Sequence, residues 1–393
     1  MYTGSVNKDK NTAKWSYIIE MGRGINGKRK QKRKRGFRTK KDAQKAMTKI
    51  LHELNKGTYI EPKKITMESF LSEWLKNKQL TIRQSTYRKY YWIVNKHLIP
   101  HIGNVLLPDL TPTHVQQLYY KLSKEKKLSN ENVKSVHKLL SQSLRQGVKF
   151  DYIPRNVTEF IELPKVEKKE VNVWNLDQVR HFLNIAKTNR YHIVYQIALN
   201  TGMRQGEILG LRWRDIEFDR KTLNVRQTLS HTGELVNATK TAASSRTIAL
   251  PDQLVAELKK HKITQAEEKL KAGSLYTNNE LVVATQLGTP LNPRNLVRNF
   301  YGLIKKTELN KIRFHDLRHT HASLLLIQGA HPKVVSERLG HADTRITLDT
   351  YSHLLPNMQE ETAKQFGDML FNNKEDDDYD SFVKEAIDLS YVV

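Results

Sequence analysis

Between Ile65 and Leu163 apolar side chains recur every three or four positions, four times over, a spacing that demands helices. Phe70, Leu71, Trp74 and Leu75 mark one face; Thr86, Tyr87, Tyr90, Tyr91, Ile93, Val94 and Leu98 mark the next, which Pro100 is expected to end. Val115, Leu118, Tyr119 and Leu122 form a third stripe, and Val133, Val136, Leu139, Leu140 and Leu144 a fourth. Helices striped in this way bury their apolar sides against one another, which puts the aromatics in a core and leaves Arg83, Arg88, Lys89 and Lys96 in water beside it.

Charged stretches bracket this bundle, Gly57 to Lys64 around Pro62 and Pro164 to Glu170, and neither carries a stripe. They are read as linkers, so the 393 residues divide into segments 1–60, 65–163 and 171–356, with a tail at 357–393. The first segment holds 17 Lys and Arg against 4 Asp and Glu, a net of +13 out of the +25 of the whole chain. An excess of that size implies a polyanionic partner, nucleic acid before a membrane surface. Trp15 to Glu20 alternates like a strand, Gly24 to Gly27 reads as a turn, and the run Lys28, Arg29, Lys30, Lys32, Arg33, Lys34, Arg35 reads as a second strand. Thr39 then caps a helix through Ala43, Ala46, Met47, Ile50 and Leu54. The run alone would pass for a solvated charge block; the Trp/Tyr/Ile alternation and the striped helix give it a core, and such a basic sheet could enter a DNA groove.

The third segment reads as helices at Leu176–Ala186 and Ile193–Leu199, then strands at Ile216–Phe218, Leu223–Arg226 and Arg246–Leu250. Helices follow after Pro251 and after Asn292-Pro-Arg, with Pro332–Leu339 a further one. The expected fold class is therefore mainly α with small β-sheets. No cysteine is present, so disulfides and thiolate metal sites are excluded. No apolar run approaches the roughly 20 residues of a membrane span, and the start of the chain lacks a signal-peptide core, so a cytoplasmic protein associated with the nucleoid is expected.

The chemistry concentrates near the end. Arg313-Phe-His-Asp-Leu-Arg-His-Thr320 sets His315 and Arg318 on one helical face, Leu339-Gly-His341 follows, and Tyr351 comes ten positions later. Forked guanidinium donors, imidazoles that move protons and a phenol nucleophile suit the gripping and attack of a phosphate. The order H-x-x-R, L-G-H, Tyr resembles the tyrosine recombinase (phage integrase) family. Upstream, Thr201-Gly-Met-Arg-Gln-Gly-Glu-Ile-Leu-Gly-Leu211 is similar to the family's first motif, with Arg204 its arginine and Glu207 the acidic residue one turn on. Asn237-Ala-Thr-Lys-Thr241, before Arg246, resembles the β-hairpin that carries the family's lysine, here Lys240.

The resemblance implies an N-terminal arm-type DNA-binding module, a SAM-like core-binding domain with Arg and Lys on DNA phosphates, and a catalytic domain. It implies that Arg204 and Arg318 clamp the scissile phosphate, that His315 and His341 hydrogen-bond it, and that His315 takes the phenol proton. Lys240 would protonate the departing sugar oxygen, Glu207 would hold Arg204, and Tyr351 would form a covalent phosphotyrosine without cofactor or metal. Double-stranded DNA with core and arm sites, a homo-tetramer, a host DNA-bending protein and an excisionase are the partners it brings to mind, and the C-terminal segment would dock on a neighbouring subunit. A type IB topoisomerase shares the chemistry, but the L-G-H to Tyr segment and the basic N-terminal module favour an integrase. A non-catalytic DNA-binding regulator would have no use for Tyr351 or Lys240. A zinc site at His315 and His319 lacks a carboxylate or third ligand at a recognised spacing. Pro154-Arg-Asn-Val157 departs from the Asn-Pro pair common in the family, a difference that touches packing.

Overall fold

The structure, a computed structural model, describes residues 2–9, 12–23, 29–56, 59, 64–166, 171–230, 232–237, 245–351 and 358–371. The expected turn at Gly24–Gly27, Lys28, Lys240, most of the linker from Gly57 to Lys64 and the acidic tail beyond Phe371 lie outside the described residues. By internal contacts the chain divides into two compact units, Met1–Lys168 and Lys169–Val393.

The first unit opens with an antiparallel sheet in the order β1 (Thr3–Lys8), β2 (Trp15–Arg23), β3 (Arg29–Phe37). Tyr17 and Ile19 point to one side of β2 and are fully buried with Met47 and Leu54 of α1 (Lys40–Asn55). As expected, Thr39 caps α1: its hydroxyl accepts from the Asp42 amide at 3.1 Å. Strand β1 was not expected, because Thr3–Lys8 has one large apolar residue, Val6; backbone pairing to β2 makes it an edge strand, not a buried side-chain row. On β3, Arg29, Lys30, Arg33, Lys34 and Arg35 are exposed, while Lys32 is half-buried, with its ammonium on the Tyr59 hydroxyl.

Five helices follow in this unit, α2 (Met67–Gln79), α3 (Gln84–Ile93), α4 (Ile99–Ile102), α5 (Pro112–Lys124) and α6 (Asn130–Lys149). The first, third and fourth stripes are buried together in one core. The second differs in two ways. Tyr91 stands 53% exposed. Nor does Pro100 end the helix: α3 passes through one wide π turn, Val94–Leu98, into α4, with Pro100 in the turn that follows. Arg83, Arg88 and Lys89 are exposed at the start and on the outside of α3. Asn156 is buried, accepting from the Thr158 amide at 3.1 Å and donating to the Ser141 hydroxyl at 3.1 Å, so this stretch does serve packing.

The second unit contains α7 (Leu176–Ala186), α8 (His192–Thr201), α9 (Gln205–Leu209), β4 (Ile216–Glu217), β5 (Thr222–Val225), β6 (Gln227–Leu229), β7 (Leu235–Asn237) and β8 (Arg246–Ala249). It continues through α10 (Asp252–Ala272), α11 (Pro293–Thr307), α12 (Asp316–Ile327), α13 (Pro332–Leu339), α14 (Thr344–Tyr351) and α15 (Met358–Phe371). Strands β4, β5 and β8 form one antiparallel sheet with β5 central, and β6 and β7 form a separate hairpin. Trp174, Phe182, Tyr195 and Phe300 meet ring to ring at the centre of the main core, tilted or edge to face. The Trp174 amide donates to the Thr320 hydroxyl at 3.2 Å, tying the entry of the unit to α12. A smaller cluster of Ala322, Leu326, Val335, Leu339 and Tyr351 packs α12, α13 and α14 together. The fold is mainly α with small sheets. Among the described residues no helix is long and apolar enough to cross a membrane.

Candidate active site

Helix α8 stops at Gly202, whose φ of +65° turns the chain left-handed. A Cβ there would lie 2.6 Å from the His321 ring and from a Leu339 methyl, so no larger residue fits without displacing both. This turn delivers Arg204 to the N-cap of α9, where Glu207 closes on it twice. The Arg204 amide donates to Glu207 Oε2 at 2.9 Å and its Nη1 to Oε1 at 2.8 Å; Nη2 reaches the Gly340 carbonyl at 3.3 Å. Behind the pair stands Arg246, the first residue of β8, with 7% of its side chain exposed. Its Nη2 donates to Glu207 Oε2 at 2.8 Å and its Nε to the Arg338 carbonyl at 2.8 Å. Burial by itself would raise the Glu207 carboxyl, but the Arg246 and Arg204 guanidiniums outweigh it and hold the group below its ordinary value.

Arg318, on the first turn of α12, is 3% exposed. Its Nη1 donates to the Gly202 carbonyl at 2.8 Å, whereas its Nη2 is buried and has no hydrogen-bond partner among the described residues. Burial, and then the charge of Arg204, push this guanidinium down to about 9, so it remains a cation at neutral pH. A buried, unsatisfied cationic donor is costly, and the pocket it lines is where an anion would relieve it. Asp316, next to it in sequence, is turned back onto Arg313, accepting from the Arg313 amide at 2.7 Å and from its Nη2 at 2.8 Å.

Tyr351 closes α14 with 1% exposure, its ring in the small apolar cluster and its hydroxyl 2.5 Å from His319 Nδ1. Burial pushes the phenol up to about 12 against the opposing pull of Arg318. His341 follows Gly340, the left-handed cap of α13, and pairs through Nδ1 with the Thr347 hydroxyl at 2.9 Å. Burial and the neighbouring arginines push His341 down to about 4, and burial with the charge of His315 does the same for His319. His315 is lowered as well, by burial and then by Arg318. His319 and His341 are therefore neutral at pH 7.

Arg204, His315, Arg318, His341 and Tyr351 therefore line one cavity of about 470 Å³, together with His319. Glu207 lies behind Arg204, and Lys240 falls outside the described residues. The basic residues of β3 and α3 belong to the first unit. Two contributors escaped the sequence reading. His319, one turn after His315 and next to Arg318, carried the signal in its spacing; it was weighed only as a metal ligand. Arg246 carried none, because a strand-opening arginine is ordinarily solvated. Among the described residues no group of three His, Asp or Glu could hold a metal ion.

Comparison with known proteins gives the family and the fold. Residues 172–358 match the phage integrase family, residues 66–123 the N-terminal SAM-like domain of phage integrases, and residues 5–54 an arm DNA-binding domain. A XerC-like tyrosine recombinase of Caldanaerobacter subterraneus subsp. tengcongensis is 28% identical over 378 residues, spanning 89% of this chain and 95% of its own. The ICEBs1 integrase of Bacillus subtilis is 26% identical over 336 residues, spanning 84% and 91%. Among solved structures, the Tn1549 transposon integrase in complex with a circular intermediate DNA superposes with a TM-score of 0.67 at 17% identity, over 77% of this chain and 99% of that one. A lambda integrase dimer bound to a COC′ core site gives 0.57 at 20% identity, over 87% and 93%. At such identities the structural likeness bears on the fold.

Proposed function

The chain belongs to the phage integrase family of tyrosine recombinases, and from that premise we propose that it cuts and rejoins double-stranded DNA through a 3′-phosphotyrosine on Tyr351, integrating and excising a mobile element. The observation that carries the proposal is the convergence of Arg204, Arg318 and Tyr351 on one cavity, with a buried Arg318 nitrogen unpaired among the described residues. Arg204 and Arg318 hold the non-bridging oxygens of the scissile phosphate, and His315 and His341 donate to it. Glu207 and, behind it, Arg246 keep Arg204 in place. The Tyr351 oxygen bonds to phosphorus as the bond to the 5′ oxygen breaks, and Lys240 supplies that oxygen with its proton. The phosphotyrosine conserves the bond energy, so rejoining to a second strand needs neither ATP nor metal.

In this reading 1–60 binds arm-type sites, 65–163 and 171–356 each bind the core site, and 357–393 reaches a neighbouring subunit; the three family matches and the separate cores support the first three segments. On DNA the chain works as a homo-tetramer in the cytoplasm, with a DNA-bending protein and an excisionase as accessory partners. The test is Tyr351→Phe on a nicked suicide duplex built from the DNA ends flanking the gene. Covalent protein–DNA product should vanish while gel-shift affinity stays within about threefold of wild type; product that persists removes Tyr351 from the reaction.

A further inference from the structure

Among the described residues, the side chain hydrogen-bonded to the attacking atom is His319. Its Nδ1 lies 2.5 Å from the Tyr351 hydroxyl, with the two rings 5.7 Å apart and tilted by 55°. The His315 ring stands edge-on to His319, 5.1 Å away and nearly perpendicular, so it limits the freedom of the His319 ring. A neutral imidazole offers one bare nitrogen and one N–H. A base role requires the tautomer in which the phenol donates, Nδ1 accepts and the ring hydrogen sits on Nε2.

We propose that His319 is the general base of strand cleavage, receiving the Tyr351 proton at Nδ1 as the phenol oxygen attacks phosphorus. The inference rests on Tyr351 being the nucleophile. In the step the bond from Tyr351 Oη to phosphorus forms, the bond from phosphorus to the 5′ oxygen breaks, and the phenol proton moves to Nδ1. The leaving oxygen takes its proton from a separate acid, Lys240. The phosphodiester keeps its single negative charge, and the new imidazolium lies beside it. In rejoining, the same nitrogen returns the proton to the departing phenol, as microscopic reversibility requires. The groups facing His319 are His315, Asp316, Arg313 and Arg318 from its own stretch, His341 from the turn after α13, and Tyr351 from α14. At rest the imidazole, held near 4, leaves the proton on a phenol held near 12. Proton transfer then accompanies attack.

The test uses the full chain and a nicked duplex with a bridging 5′-phosphorothiolate, whose thiolate leaves without an acid, so the remaining pH dependence belongs to the nucleophile. His319→Asn keeps an acceptor near the position of Nδ1 but cannot take a proton. Its single-turnover attachment should be slower by about 10²-fold or more at pH 7 and should climb steeply to pH 9, while binding is unchanged. His319→Ala should be slow as well and should regain rate with added imidazole, a response that loss of packing alone would not give. Attachment by His319→Asn within threefold of wild type would overturn the inference. So would a slow variant whose pH profile parallels wild type, paired with an Ala variant indifferent to imidazole. Tyr351→Phe separates the two levels. Attachment that survives in it defeats the nucleophile assignment, whereas attachment lost there but normal in His319→Asn defeats the base alone.

Discussion

Replacing Arg246 with Met removes one guanidinium from a buried carboxylate and leaves the other, which makes the cost calculable. Glu207 and Arg246 have 8% and 7% of their side chains exposed, so water cannot take over the lost contacts. The two charge-assisted bonds at 2.8 and 3.3 Å and the bond to the Arg338 carbonyl disappear, while Glu207 keeps the Arg204 amide at 2.9 Å and Nη1 at 2.8 Å. Breaking a buried ion pair costs on the order of 3–5 kcal/mol, and the surviving arginine puts this case at the lower end, about 3 kcal/mol. For a unit of this size that is a fall in Tm of about 6–12 °C by scanning calorimetry. The pH dependence follows from the sign of the shift. The folded Glu207 carboxyl lies below its ordinary 4.5, so its contribution is complete above pH 4.5 and is lost as the pH falls through the folded value. Without Arg246, burial is opposed by Arg204 alone, the folded value climbs and the contribution shrinks. The gap between wild type and variant should therefore be widest near pH 7 and narrow below pH 4.5. A loss under about 1 kcal/mol at pH 7, or a gap that stays constant on acidification, would refute the three-residue network.

Two further outcomes are expected. Gly202→Ala combines a left-handed backbone with a methyl 2.6 Å from His321 and Leu339, so thermal melts should show a loss of about 2–4 kcal/mol; a change under about 0.5 kcal/mol would mean the turn relaxes freely. Deleting residues 1–60 should spare attachment to a short core-site duplex and flatten the salt dependence of binding to long DNA. Loss of about three phosphate contacts by the exposed basic residues of β3 would change the log–log slope by about 3, and equal slopes would take the segment off DNA.

Much of the fold could be read from local chemistry. Helix α7 spans Leu176–Ala186 as its stripe dictates, Asn292 caps α11 through the Arg294 amide at 2.9 Å, and Pro332 opens α13. What escaped depended on partners distant in the chain. Strand β1 has no alternation of its own and exists because β2 offers it an edge. The helix running past Pro100 needed a π turn that no apolar spacing announces. Within the site, the family motifs point to the residues that line the cavity, but not to their pairings. Arg246 is linked to Glu207 across 39 positions, and the phenol rests on His319 where the resemblance had put its proton on His315.

The electrostatics of the cavity make sense only with an anion in it. Arg204, Arg246 and Arg318 bring three positive charges, Glu207 answers one of them through two guanidiniums, and Arg318 is left with a buried nitrogen unpaired among the described residues. After burial, Arg318 and Arg204 help push both His315 and His341 down. A phosphodiester placed among them would satisfy the Arg318 nitrogen and reduce the excess of positive charge in the cavity. The imidazoles would then gain basicity, His319 included, just when the phosphorus comes within reach of the phenol. Without DNA, Tyr351 stays protonated and 1% exposed. On this reading the substrate's own charge switches on the base, so the enzyme carries no standing phenolate between encounters with its site.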